Sequence, residues 1–290
     1  MRRAPDSDQV SASWRALWRV RVTVGYSSVL VIVALWLGHL PPRDQHELIL
    51  ANSTNLRNLG DGQLFSLVGS AFVTEAGPLY FWLPGLMALL ALAELLWQSH
   101  RLVFAFAAAH VGATLIIASI LAGGLAVGWL PRSIANVTDV GMSYGAVGVL
   151  GSLTWALPPR WRGAWAGWWL VLAGLPLVRL DFDFTTAGHL VALLLGMVVG
   201  RGFRGRAHWT VPRTILLVIA SGFGYLVIGF TDGYAVGTVM VAVAGAAVGW
   251  ILGGLGVRKT QMNSSADASI QSDNQACGGP SSSSPGINQS

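Results

Sequence analysis

Eight stretches of the chain are apolar over roughly the 20 residues that a helix needs to cross a bilayer. They run over 22–40, 80–98, 102–121, 140–157, 164–180, 185–201, 214–230 and 234–257. A chain of 290 residues with this pattern has few folding options. Lipid offers no partners for backbone N–H and C=O groups, so each crossing must satisfy them internally as a helix. Composition agrees: 11% of residues are charged, 53% are hydrophobic and the mean hydropathy is +0.57. A soluble domain carries about 25% charged residues. The fold class is an all-α polytopic membrane protein.

The basic residues predict which side is which. Of the 18 Lys and Arg residues, only Arg43, Arg57, Arg132 and Arg179 fall in segments that would lie outside if the N-terminus is inside. Cytoplasmic loops hold the Lys and Arg excess in membrane proteins. Both termini are therefore expected in the cytoplasm. Arginine replaces lysine almost throughout (Lys259 is the only one), beside abundant Gly, Ala and Trp. That usage suggests a GC-rich bacterial genome, and the expected location is then the bacterial inner (plasma) membrane. The net charge of +5 is explained by topology and calls for no nucleic acid.

Residues 1–21 read as a basic interfacial segment, with Trp14, Leu17, Trp18 and Val20 at helical spacing between arginines. Residues 22–205 form the core, and 206–257 add two crossings. Residues 258–290 are polar and are expected to be a disordered cytoplasmic tail. The long connection from Pro41 to Pro78 is broken by Asn, Gly and Asp between apolar patches, which predicts a partly embedded loop with short helices. No internal repeat is evident, no His, Cys, Asp or Glu grouping has metal-ligand spacing, and no phosphate-binding glycine loop occurs. No cofactor is implied. The lone Cys277 precludes an intrachain disulfide.

Two crossings carry chemistry. DVGMSYGAVGVLG places Ser143 among Gly141, Gly145, Gly148 and Gly151. TTAGHLVALLLGMVVG places His189 above a face of Gly188, Ala192, Gly196 and Gly200. Taken singly, such a serine commonly packs a helix interface and such a histidine bonds to a neighbouring helix. Together they lie at one depth, on helices of one direction, with small faces that permit close approach. A serine beside an imidazole is a nucleophile beside its base. His110 lies deeper, as an interhelical hydrogen-bond partner. Glu94, near the end of its crossing, reads as structural. Asp139, Asp181 and Asp183 cluster at helix ends, where one of them could orient His189.

GMSYGAVGVLG resembles the fourth-helix motif of rhomboid intramembrane serine proteases, and GHLVALLLG resembles their sixth-helix motif. QLFSLVGSAFVTEAGPLYFWL, from Gln63, is similar to that family's passage from the first loop into the second helix. The resemblance covers roughly residues 20–205. It implies a six-helix rhomboid-like core, with Ser143 as nucleophile and His189 as its base, and the apolar runs at 214–230 and 234–257 are expected to add two additional C-terminal transmembrane helices. The substrates it implies are transmembrane-helix proteins. Three departures stand beside it. Tyr144 occupies the place of a glycine after the serine. Tyr80 and Pro84 replace the His and Asn that help to hold the oxyanion, so Gly141, Tyr144 and a Tyr80 hydroxyl are the remaining site-lining candidates. The first-loop Trp-Arg pair is missing. The alternative reading is a catalytically inactive relative that binds membrane proteins or lipids.

Overall fold

The computed structural model describes residues 17–74, 79–179, 183–203, 208–229 and 237–254. The polar tail and most of the N-terminal segment lie outside the described residues. Those described are all-helical, with 11 α-helices and two short 3-10 turns. They are α1 (Arg21–Gly38), α2 (Pro42–Ala51), α3 (Leu56–Gly60), α4 (Ser66–Gly69), α5 (Leu79–Trp97), α6 (Ser99–Ala126), α7 (Ser143–Ser152), α8 (Pro159–Arg179), α9 (Phe184–Arg201), α10 (Val211–Ile228) and α11 (Gly237–Gly254).

Six of these (α1, α5, α6, α9, α10 and α11) are long and apolar enough to cross a membrane by length and composition. The apolar run at 140–157 yields a shorter helix than its length suggests. Gly141 holds φ +119°, outside helical space, so α7 starts only at Ser143. It then tightens into a 3-10 turn at Leu153–Trp155, ahead of Pro158 and Pro159. Conversely, α8 begins five residues before the apolar run, because Pro159 suits a first helical turn and Arg160 and Arg162 are good helix formers.

Helix α7 is the centre of the bundle. Every residue from Tyr144 to Ser152 is buried, and α6 and α9 flank it. Absent side chains allow this. A Cβ on Gly196 of α9 would collide with the Gly148 carbonyl of α7, and one on Gly148 would collide with Ala109 of α6. Ala105, Ala109 and Ala113, at four-residue spacing, continue the small face of α6 and are fully buried. Backbones packed this closely gain dispersion contacts, the main attraction between helices in lipid.

The two ends of the bundle differ. At one end lie Arg21, Arg101, Arg160, Arg162, Arg201 and Arg213, with Glu94 buried among the helix ends. The Glu94 carboxylate accepts from the backbone N–H of Val22 (3.0 Å) and Thr23 (2.9 Å) at the start of α1. It also accepts from the Thr23 and Ser99 hydroxyls, both at 2.7 Å. One side chain thus satisfies first-turn donors of α1 and ties α1, α5 and α6 together. Nearby, Arg213 donates to the Leu95 carbonyl (3.0 Å) and fixes the start of α10 on the end of α5.

At the opposite end the 42–73 segment folds into α2, α3 and α4 and tucks its polar residues inward. Ser53, Thr54, Ser66 and Ser70 are buried there. Tyr26 of α1 donates to the Ala71 carbonyl (2.6 Å). Ser70 Oγ, one residue past α4, pairs with His110 Nε2 of α6 (3.1 Å), so the partner of that histidine is a turn of the 42–73 segment rather than a second helix.

Candidate active site

The loop that delivers Ser143 is held by the folded 42–73 segment. Thr54 N–H donates to the Asp139 carbonyl (2.9 Å), Asp139 N–H donates to Ser53 Oγ (2.8 Å), and the Thr54 hydroxyl reaches the Asp139 carboxylate (3.0 Å). Gly141 N–H donates to the Ser70 carbonyl (2.7 Å). Burial disfavours the charged form of Asp139 and pushes its pKa up to about 6, against the opposing pull of the Thr54 hydroxyl. Two residues after Gly141, Ser143 is the first residue of α7. Met142 offers no side-chain cap, so the first-turn amides of α7 keep their donor capacity.

His189 comes from α9, whose start is fixed by Asp183. That carboxylate accepts from Thr185 N–H (3.2 Å), Thr186 N–H (3.1 Å) and the Thr186 hydroxyl (2.7 Å). Asp183 is thereby a helix cap. Among the described residues neither it nor Asp139 is hydrogen-bonded to His189, and Asp181 lies outside the described residues.

Ser143 and His189 line one cavity of about 470 Å³. They are not hydrogen-bonded to each other. His189 is 8% exposed, and its Nε2 is buried without a partner. The Tyr144 ring meets the imidazole edge-on, with centroids 5.5 Å apart. Gly188 makes room for that ring, since a Cβ there would run into it. Tyr144 therefore packs beside His189 rather than across the serine, and it is not among the cavity-lining residues. Gly141 lines the cavity. Tyr80 is 80% exposed and does not line it.

Sequence reasoning missed the wall. Phe223, Leu226 and Val227 of α10 line the cavity beside Phe81 and Trp82 of α5. Helix α10 runs along α5, where Gly85 lies against Phe223, and touches α7 and α8 through Gly224, which faces Leu150 and Trp169. The glycines of 206–257 signalled close packing, but nothing in the sequence named the surface they pack on.

Six helices long and apolar enough to cross a membrane mark a polytopic membrane protein, and within it Ser143 and His189 line one cavity. A family profile described as rhomboid-like protein matches residues 17–208, more than half of the chain. The chain belongs to the rhomboid-like protein family. Neither a curated protein nor a solved structure was found to match it.

Proposed function

We propose that the protein is an intramembrane serine protease acting on transmembrane-helix substrates, with Ser143 as nucleophile and His189 as general base. The observation that carries this reading is the cavity that Ser143 and His189 both line, beside a His189 Nε2 that has no competing partner. Catalytic hydrogen bonds of this kind commonly form or tighten only when substrate is present. Ser143 Oγ attacks the scissile carbonyl carbon and its proton passes to His189 Nε2. The oxyanion is met by first-turn amides of α7, where the helix dipole favours negative charge. Collapse breaks the C–N bond as His189 returns the proton to the leaving amine. Water, deprotonated by His189, then releases the acyl group and restores Ser143.

The site lies at the end of the bundle opposite the arginine-rich one. With the positive-inside rule, the proposal is cleavage near the outer face, both termini cytoplasmic, and α10 and α11 as crossings additional to a six-helix core. A fluorophosphonate probe is expected to label the wild-type protein and to spare both Ser143→Ala and His189→Ala. Equal labelling of Ser143→Ala removes Ser143 from the mechanism.

A second reading has its own support. Tyr80 faces away from the cavity and supplies no oxyanion donor, and the dyad is not hydrogen-bonded. A non-catalytic member of the family that binds transmembrane helices fits both facts. In that case Ser143→Ala would fully complement a deletion.

A further inference from the structure

Helix α10 is attached to the bundle in different ways along its length. At its start Arg213 donates to the Leu95 carbonyl at the end of α5 (3.0 Å), and just before it Trp209 Nε1 donates to the Ala156 carbonyl (3.0 Å). Further along, Gly224 seats α10 against Leu150 of α7 and Trp169 of α8. Its neighbour Phe223, 3% exposed, lies against Gly85 of α5, where a Cβ would run into it. That last contact is apolar on both sides, and Phe223 also lines the cavity of Ser143 and His189.

Both helices carry a weak point beside this contact. In α5, Pro84 lies inside the helix, one residue before Gly85, and has no N–H to offer the Tyr80 carbonyl. In α10, Ser221 and Gly222 come just before Phe223. Ser221 Oγ donates to the Leu217 carbonyl (2.8 Å), a back-bond of the kind that bends helices. Gly222 is exposed, and a Cβ there would meet nothing, so packing does not call for a poor helix former at this position. Prolines and Gly/Ser pairs are where helices kink. The residues next to the two weak points, Phe81 and Trp82 on α5 and Phe223, Leu226 and Val227 on α10, all line the cavity.

We propose that α10 is an inhibitory helix: the Gly85–Phe223 contact keeps the cavity narrow, and bending at Pro84 and at Ser221–Gly222 parts α5 from α10 to admit a transmembrane segment to Ser143. This rests on the reading of Ser143 as the residue that such a segment must reach. A transmembrane segment stays in lipid, because leaving it would put about 20 apolar residues in water. It therefore reaches Ser143 sideways, between helices. The helices that carry Ser143 and His189 cannot part cheaply, since Gly196 of α9 is pressed on the Gly148 carbonyl of α7. The α5–α10 contact is held by side chains alone at the level of the cavity, while Arg213 and the Gly224 seat keep α10 in the bundle when Phe223 leaves Gly85.

The test puts a thiol at the site, so that its readout does not depend on proteolysis. The full chain with Ser143→Cys and Cys277→Ser, in lipid nanodiscs, is alkylated by membrane-partitioning N-pyrenylmaleimide or by a small water-soluble methanethiosulfonate. Gly222→Ala stiffens α10 without a clash. It is expected to slow the pyrenylmaleimide about fivefold, to raise resistance to unfolding by SDS, and to leave the methanethiosulfonate rate unchanged. Phe223→Ala should speed the pyrenylmaleimide severalfold. Unchanged pyrenylmaleimide rates in both variants overturn the proposal, as does an equal change with both reagents. Fluorophosphonate labelling of Ser143 in the otherwise wild-type chain separates the two readings. Thiol rates as expected without that labelling sink proteolysis and keep the inhibitory helix; labelling with unchanged thiol rates does the reverse.

Discussion

Replacing Glu94 with alanine removes the acceptor shared by four donors and should be among the most damaging single changes in the chain. The Thr23 and Ser99 hydroxyls can rotate toward helix carbonyls, so their loss is small. The N–H groups of Val22 and Thr23 cannot, because they are first-turn donors of α1 pointing at the vacated space. Each stranded buried donor costs about 1–3 kcal/mol, for a total of about 2–6 kcal/mol. Relief from burying a carboxylate offsets part of that, which leaves about 3 kcal/mol as the expected loss. Glu94→Gln retains one acceptor oxygen but turns an amide NH₂ toward donors, and is expected to lose about 2 kcal/mol. Reversible unfolding of purified protein by increasing SDS in mixed micelles would measure both. A loss below about 1 kcal/mol for Glu94→Ala would refute the reasoning, because it would mean that α1 does not depend on this carboxylate for its start.

Gly196→Val drives a branched side chain into the Gly148 carbonyl and should destabilise by about 3 kcal/mol or more, read by the same unfolding assay. Phe223→Ala removes a buried ring from the cavity wall; fluorophosphonate labelling of Ser143 is expected to accelerate severalfold even as stability falls by about 3 kcal/mol. The folded-state pKa of Asp139, near 6, lies above its unfolded value near 4. The native state therefore binds the extra proton between those values, and this group's penalty is complete above pH 6 and relieved as pH falls toward 4. Comparing wild type with Asp139→Asn across pH 4–7 should show wild type gaining stability relative to the variant on acidification; parallel curves would contradict this.

The site helices were legible because their pattern is local. Gly188, Ala192, Gly196 and Gly200 recur every four residues on α9, and the structure turns that stripe against α7 as the spacing requires. What was not legible was which face of an all-apolar helix meets protein and which meets lipid. Lipid tails and leucine side chains are equally apolar, so burial leaves no periodic signature on a helix such as α10. Phe223 and Val227 wall a cavity while Val218 and Ile219 are exposed, and all four are hydrophobic. The same degeneracy hid the outward orientation of Tyr80. The start of α7 escaped for a different reason: apolarity sets the length of a crossing, whereas a single positive φ at Gly141 decides where the helix begins.

The family match ends at residue 208, and the helix that walls the Ser143–His189 cavity begins at Val211. The two polar groups and one wall of their cavity are therefore encoded in separate stretches of the chain. Changes confined to α10 can alter the width and lining of the cavity while α7 and α9 keep the close backbone contact of Gly148 with Gly196. A version of this chain that stopped at residue 208 would carry the same serine and histidine in a cavity lacking one side.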